Sequence, residues 1–279
     1  MQKSKRILCA LSIFAVAISG ISFSACSEKL SDVTGFLEYQ KIEGKDEWRV
    51  TGLGTISTPS VNVPTRYLGF PVTEIGNGAF SGEDKLEEIT FSKKVRHIGE
   101  YAFEDCDNLT KVVMGDGLLS IGDYAFSGCD SLSVVEFGEN VTALGEYSFR
   151  DCDSLSRVDI PDKVTSVGVS AFAYCDHLTT VSIGNGVTTI GDNAFDSCGR
   201  LTDVKIGGSV ATIGDYAFSR CDSLANLYYM GTVSDWKTIA INMSTNECLT
   251  KATRYYYSEQ EVGAWWHYDP QGNIITSKS

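Results

Sequence analysis

Six cysteines at a constant spacing are the first feature of this sequence that could carry chemistry. They recur every 23 residues, as Cys106, Cys129, Cys152, Cys175, Cys198 and Cys221. Cysteines of exported proteins often form disulfides, and stacked coils would bring successive ones within the roughly 4.4–6.8 Å Cα separation that a disulfide needs. A zinc site would need Cys-x-x-Cys pairs or clustered histidines, and the sequence has neither. All six cysteines share one column, three residues after each repeated phenylalanine, and no second column offers them partners. We therefore favour cysteines that act as small buried apolar side chains over disulfides.

A column of aspartates follows the cysteines one residue later. Its members are Asp107, Asp130, Asp153, Asp176 and Asp222, and Gly199 interrupts it. A ladder of carboxylates could hold calcium between coils. Calcium usually takes six to eight oxygen ligands, however, and no calcium-loop signature is present. We therefore favour aspartates that accept hydrogen bonds from turn N–H groups.

The residues that could do catalysis form no recognisable set. The three histidines, His97, His177 and His267, lie in no pattern that indicates a nucleophile and its base, and the glycines form no phosphate-binding loop. The sequence therefore predicts a protein that is not an enzyme and that needs no metal or cofactor.

The N-terminus indicates export. Three basic residues within the first six precede an almost unbroken apolar run, residues 7–21, and small residues that end at Cys26. These are the parts of a secretory signal peptide, residues 1–25, and the run is shorter than the roughly 20 residues that a spanning helix needs. Cys26 indicates a lipoprotein signal, in which this cysteine is diacylated and anchors the protein. Phe23 stands where that signal usually has Leu, so a plain secretory signal is the alternative.

The charge limits the partners. The net charge is −13 and becomes −16 without the leader, which carries three basic residues and no acidic one. A strongly acidic chain without basic clusters argues against nucleic acid and against membrane contact beyond the anchor. At 43% hydrophobic and 21% charged residues, the composition is that of a folded protein.

Internal repeats dominate the chain. An Ile-Gly-type pair recurs at residues 75, 98, 121, 144, 167, 190 and 213, always 23 residues apart. The same step carries Phe80, Phe103, Phe126, Phe149, Phe172, Phe195 and Phe218. One such unit has too little apolar surface to close a core, whereas stacked units form continuous ladders that exclude water.

Each unit predicts the same local structure. Leu-x-x-Val-x-Ile, as at Leu155–Ile160, alternates as a short strand does, and strands at the same place in successive coils would pair in parallel. A turn and a second extended piece follow, and Gly-Asp-x-Ala-Phe is expected to open a short helical turn. The acid at the start of that turn, such as Asp123 or Asp192, would suit free N–H groups.

At these residues the chain resembles a known family. The unit at residues 121–137 is similar to the repeat of BspA-like leucine-rich-repeat bacterial surface proteins, and the resemblance covers roughly residues 60–230. It implies a right-handed leucine-rich-repeat solenoid, an α/β repeat rich in β structure, with its parallel sheet on the concave face. It also implies display outside the cell and adhesion or partner binding, with no catalytic residue set.

The repeats need caps, and these set the domain organisation. We expect an N-terminal linker and cap at residues 26–74, with two strands around a polar turn at 43–46 and an irregular first coil. The solenoid follows at 75–230 and a C-terminal cap at 231–279. In that cap, Trp236 is expected to end the isoleucine column, a helix to start at Ser234-Asp235, and a strand at 252–257 to precede a hairpin at 265–276.

The outward positions of the strands are the predicted binding site. They flank the inward Val and change at every coil, whereas the structural columns barely change. They comprise Glu88, Thr90, Lys111, Val113, Val134, Glu136, Arg157, Asp159, Thr180, Ser182, Asp203, Lys205, Asn226 and Tyr228. Aromatic residues between Tyr255 and Tyr268 offer an alternative platform for sugar rings, although a cap needs the same residues.

These observations predict a lipid-anchored protein of the cell envelope or surface that binds an extracellular protein or a glycan through its strands. The first rival is a structural scaffold of the envelope without a specific ligand. The second is a carbohydrate-active enzyme, against which the constant repeat length counts, because no insertion forms a cleft.

Overall fold

The computed structural model describes residues 37–55, 58–258, 264–268 and 274–277. The predicted signal peptide and Cys26 lie outside the described residues. Among those residues, no helix is long and apolar enough to cross a membrane.

The described chain winds as a β-solenoid in which every coil contributes one strand to each of two faces. On the first face, parallel strands run from β3 to β20, and a terminal hairpin extends them. With their bounds, the strands of this face are β3 (Ser60–Asn62), β6 (Glu88–Thr90), β8 (Lys111–Val113), β10 (Val134–Glu136), β12 (Arg157–Ile160), β14 (Thr180–Ile183), β16 (Asp203–Ile206), β18 (Asn226–Tyr229), β20 (Thr253–Tyr257), β21 (Trp265–Tyr268) and β22 (Ile274–Thr276).

The second face is built from shorter strands that contain the isoleucine column. Its members are β2 (Trp48–Gly52), β5 (Phe70–Ile75), β7 (His97–Ile98), β9 (Ser120–Ile121), β11 (Ala143–Leu144), β13 (Ser166–Val167), β15 (Thr189–Ile190), β17 (Thr212–Ile213) and β19 (Ala240–Ile241). The glycine after each isoleucine lets the coils approach. A Cβ at Gly122 would lie 2.7 Å from the carbonyl carbon of Gly99 in the preceding coil, closer than real Cβ atoms come.

The core is a set of columns that run through the coils. The seven repeat phenylalanines are fully buried, and their ring centroids stack 4.9–5.4 Å apart from one coil to the next. The predicted leucine, isoleucine and cysteine columns are buried with them. The stacked-coil prediction is therefore confirmed.

The expected helical turn after each Gly-Asp is wrong. This segment is a run of turns, because the residue after the acid adopts a left-handed backbone, with φ of 56° at Tyr101 and 55° at Tyr124. Alternate N–H groups bond to the next coil, as when Phe103 N donates to Ala125 O at 2.7 Å, and those between them close turns of three residues, as when Glu104 N donates to Tyr101 O at 3.3 Å. The acids act across coils as well, since Asp123 Oδ1 accepts from the N–H of Glu146 at 2.8 Å.

The two strands expected around the polar turn at residues 43–46 are present. β1 (Glu38–Lys41) pairs antiparallel with β2, and β2 continues in parallel with β5. β4 (Arg66–Tyr67) closes a small antiparallel hairpin against β5.

The C-terminal cap differs from the prediction in the place of Trp236 and in its helices. Trp236 does not take the isoleucine place, because Ile213 pairs with Ile241. The helix α1 (Val233–Trp236), capped by the Thr232 side chain, lengthens this coil by five residues and places Trp236 against the Tyr229 ring. A second helix, α2 (Glu247–Lys251), precedes β20.

The predicted last strand and hairpin are present. β20 pairs in parallel with β18, and β21 pairs in parallel with β20 and antiparallel with β22. The hairpin thus extends the sheet of the first face instead of standing apart.

The first face is divided into two sheets. β3, β6, β8 and β10 form the first sheet, and β12, β14, β16, β18, β20, β21 and β22 form the second. β10 and β12 are not paired, although the phenylalanine rings of their coils stack at the usual distance. The second face is interrupted between the same two coils, where β11 and β13 are not paired. The coils therefore stay stacked in the interior while the strand ladder is interrupted on both faces.

Candidate functional site

The predicted binding residues lie in two parallel rows on the first face, which we call the strand face. Register places Lys111 beside Glu88 and Val134, and the next row places Val113 beside Thr90 and Glu136. In the second sheet the rows are Arg157, Thr180, Asp203 and Asn226, and Asp159, Ser182, Lys205 and Tyr228. The inward residue between the rows is apolar in every coil.

The first sheet presents exposed charge. Lys111 in β8 and Glu136 in β10 belong to neighbouring coils, and Lys111 Nζ lies 2.7 Å from Glu136 Oε1. This hydrogen bond raises the pKa of Lys111. Glu88 and Thr90 are exposed beside it. Because these groups remain in solvent, their pairing stabilises the fold little and leaves them available to a partner.

An apolar strip lies at the break between the sheets. Val134 is 40% exposed, and the inward residue Val135 and its neighbour Phe137 are half-exposed, whereas the equivalent Val112 and Met114 are buried. The missing pairing with β12 uncovers these side chains. Alternation alone predicted Val134 as outward but not the exposure of Val135 and Phe137.

Arg157 and Asp159 form the polar border on the other side of the break. Arg157 Nε and Nη2 donate to the two Asp159 carboxylate oxygens at 2.7 and 2.9 Å, and this bond raises the pKa of Arg157. Both side chains are more than half exposed. Thr180 and Ser182 follow in the next coil and are half-buried.

The remaining predicted residues of the second sheet are engaged by the protein itself. Asn226 Nδ2 donates to Asp203 Oδ1 at 2.8 Å. Lys205 Nζ donates to the Tyr268 hydroxyl at 2.6 Å and lies 5.1 Å from the centroid of that ring. Burial, followed by the Asp203 charge, raises the pKa of Tyr228 to about 12.

The C-terminal aromatic residues pack against each other and against the strand face. Trp266 is fully buried, and its Nε1 donates to the Tyr229 carbonyl at 3.0 Å. Tyr255 is buried and stacks on Tyr228 at 5.3 Å. These rings shield the end of the core, whereas Tyr268 is 42% exposed. The two surfaces that the sequence presented as alternatives therefore meet at Lys205.

The cysteine column is buried, and no disulfide joins its members in the part of the chain that the structure describes. All six repeat cysteines and Cys248 are free and buried. Each repeat Sγ donates a hydrogen bond to the carbonyl of the preceding coil's phenylalanine, at 3.0–3.3 Å. Burial raises the pKa of the Cys106 thiol to about 12 and raises those of the other repeat thiols. The preference for buried groups over disulfides agrees with this arrangement, although spacing did not show the sulfur–carbonyl bonds.

The aspartate column has no turn N–H partners of the expected kind. In the part of the chain that the structure describes, no side-chain hydrogen bond involves these carboxylates. Burial and the neighbouring aspartates raise the pKa of Asp107 and Asp153. Within the same residues, no group of three or more His, Cys, Asp or Glu side chains could hold a metal ion. Carboxylates bond N–H groups in a different turn, the one that follows Ile-Gly, where Asp192 Oδ1 accepts from the N–H of Asp215 at 2.8 Å.

The histidines lie apart from one another, and one of them meets a serine. His97 Nδ1 lies 2.8 Å from Ser120 Oγ in the next coil, a contact that the constant step of 23 residues could have predicted. Glu74, beside His97 in register, is bound by Arg49 at 2.8 Å. His177 Nδ1 lies 2.7 Å from the Asp153 carbonyl oxygen, and His267 stacks on Trp265.

Comparison with known proteins gives a consistent result. The family model of the BspA type leucine rich repeat region matches residues 59–175 and 143–252, in six copies. No curated protein matches the chain.

Solved structures show the same architecture. A Treponema pallidum leucine rich repeat protein is 25% identical, with 80% of this chain and 95% of that chain covered and a TM-score of 0.63. A leucine rich cell surface protein from Faecalibacterium prausnitzii is also 25% identical, with 85% of this chain and 58% of that chain covered and a TM-score of 0.62. A leucine-rich repeat protein from Bacteroides ovatus is also 25% identical, with 82% of this chain and 71% of that chain covered and a TM-score of 0.50.

Proposed function

Because this chain belongs to the family of BspA-type leucine-rich-repeat proteins, we propose that it is a non-catalytic binding or adhesion module that acts through its strand face. Its ligand is an extracellular protein or a glycan. The observation that carries the proposal is the contrast between the two sides of each strand. The inward residues stay apolar from coil to coil, whereas the outward residues change in charge and size.

The first sheet and its border provide the main contact surface. Lys111, Glu136, Arg157 and Asp159 surround the exposed Val134. An apolar centre with a polar border is the usual anatomy of a binding interface. The stacked interior holds these side chains in fixed positions, so a ligand would be bound at several points without ordering a loop.

The proposed location is the cell surface, with a lipid anchor at Cys26. The basic head, the apolar run and the cysteine after small residues support this location. The Faecalibacterium prausnitzii relative is described as a cell surface protein. Mass spectrometry of the mature protein would show a diacylated Cys26, whereas a free N-terminus upstream or downstream of it would contradict the anchor.

A charge-reversal variant tests the strand face. Purified protein would be screened on a glycan array and on immobilised extracellular proteins. For the strongest binder, changing Lys111, Arg157 and Lys205 together to Glu should weaken binding by at least about tenfold. The new glutamates would repel those groups of the ligand that the three basic side chains attract. Thermal stability should change little, because these side chains lie in solvent or at its edge.

The matched control changes three exposed lysines beside the strands. Lys85, Lys93 and Lys94 lie in turns on either side of β6, and their replacement by Glu makes the same change in net charge. Binding should survive in the control. Equal binding by both variants would refute the strand face, and a screen without any specific binder would favour the envelope scaffold.

A further inference from the structure

A second column of aromatic rings runs along the turns, away from both faces. Tyr101, Tyr124 and Tyr147 occupy the same place in successive coils, and their rings stack with centroids 4.9 and 4.6 Å apart. Each has a left-handed backbone, with φ of 55–56°. The column lies at the variable position of Gly-Asp-x-Ala-Phe, so its spacing was visible in the sequence.

The next position in the column is a serine on the same backbone. Ser170 has a φ of 52°, and its N–H donates to the Asp192 carbonyl at 2.9 Å, as the N–H of Tyr147 donates to Val169 at 2.8 Å. Only the side chain differs. Among the residues that the structure describes, only the Tyr124 ring stacks on Tyr147, so the ladder ends at this coil.

A cleft of about 240 Å³ lies at this point. Tyr147 and Arg150 line one side, and Asn193 and Asp196 line the other, with Ser170 between them. The volume is below the roughly 300–1,000 Å³ typical of pockets for drug-sized ligands, so the cleft suits a single ring.

The outer edge of the cleft is a tyrosine between two guanidinium groups. Arg150 lies 5.1 Å and Arg220 5.7 Å from the centroid of the Tyr174 ring. Arg220 also binds the buried carboxylate of Asp196 with two nitrogens, one of them at 3.1 Å. These contacts fix the edge before any ligand arrives, which lowers the entropic cost of binding.

Several polar groups line the same cleft as the Tyr147 ring. Among the residues that the structure describes, neither the Ser170 hydroxyl nor the Asn193 amide makes a side-chain hydrogen bond. The Arg150 guanidinium has donors beyond its contact with Asp151 at 3.2 Å. An apolar ring inserted here would leave these groups unpaired, which is costly.

We propose that this cleft binds a glycan, with one pyranose ring stacked on Tyr147 in the place that a tyrosine would take at Ser170. A pyranose has an apolar C–H face for the tyrosine ring and a rim of hydroxyl groups for Ser170, Asn193 and Arg150. The cleft lies on the turns between the second face and the strand face, so it is a site additional to the proposed strand-face site.

The test fills the cleft by placing a tyrosine at position 170, the residue that the preceding coils of the column carry. Full-length protein would be applied to a glycan array, and the best glycan would be titrated against Ser170→Tyr. The variant should fold, because four other coils carry tyrosine on this left-handed backbone, at Tyr101, Tyr124, Tyr147 and Tyr216. Binding should fall at least about tenfold. Tyr147→Ala, which removes the platform, should have the same effect. Tyr101→Ala, in the same column but three coils from Ser170, is the matched control and should bind normally.

Different outcomes separate this site from the strand face. Loss of glycan binding in Ser170→Tyr but not in the Lys111, Arg157 and Lys205 reversal supports the cleft. No binding to any glycan, or binding that Ser170→Tyr leaves unchanged, overturns it. Glycan binding that is lost only in the strand-face variant would also overturn the proposal for the cleft. The same result would support the proposed function of the strand face.

Discussion

The two sheets of the strand face are made from the same repeat, yet they meet solvent differently. In the first sheet, the outward side chains of β6 and β10 are exposed, and an apolar strip opens beside β12. In the second sheet, the outward residues of β16 and β18 are half-buried, and Trp266 and Tyr268 pack against two of them, Lys205 and Tyr228. Beneath both sheets the phenylalanine ladder is continuous. The interior is therefore alike beneath both sheets, whereas the cap engages the outward side chains of Lys205 and Tyr228.

The largest predicted effect tests whether the interior is alike beneath the two sheets. Phe126→Ala in the coil of β10 and Phe195→Ala in that of β16 should each lower the free energy of unfolding by about 3–5 kcal/mol, because both rings are fully buried between two others. Chemical denaturation measures both. Costs that differ by several kcal/mol would show that the two halves are packed differently.

The features that repeat every 23 residues could be predicted from the sequence, and the features that belong to a single coil could not. Phe103 and Gly122 belong to columns whose step of 23 residues is evident, so the coil, its core and its outward positions followed from period and alternation. The contact between Lys205 and Tyr268 joins residues 63 positions apart and belongs to no period.

Local backbone and insertions account for the other differences. The segment around Tyr124 is not helical, because Tyr124 has a left-handed backbone and its N–H donates to the next coil, to Glu146 O. Five residues around α1 moved Ile241 into the place expected for Trp236. The break between β10 and β12 has no counterpart in the repeat pattern, because the columns continue through it unchanged.

A smaller effect sharpens the comparison at the cap. Tyr268→Phe removes the hydroxyl that accepts from Lys205, and an exposed hydrogen bond of this kind should contribute about 0.5 kcal/mol. Hydrogen exchange should become faster in β16 and β18 and stay unchanged in β6 and β8. Tyr216→Phe, on an exposed turn, is the control. A uniform change across both sheets would contradict the view that the hairpin protects only the second one.

Cysteine cross-linking tests most directly the claim that the coils stack in register and divide the strand face into two sheets. Lys111→Cys with Val134→Cys joins register partners of paired strands, whereas Val134→Cys with Arg157→Cys spans the break at the same sequence separation. Paired parallel strands lie about 4.8 Å apart, within disulfide range. We predict that the first pair oxidises readily and the second poorly. Equal cross-linking of both pairs would show a continuous sheet, and no cross-linking of the first pair would contradict the stacked register itself.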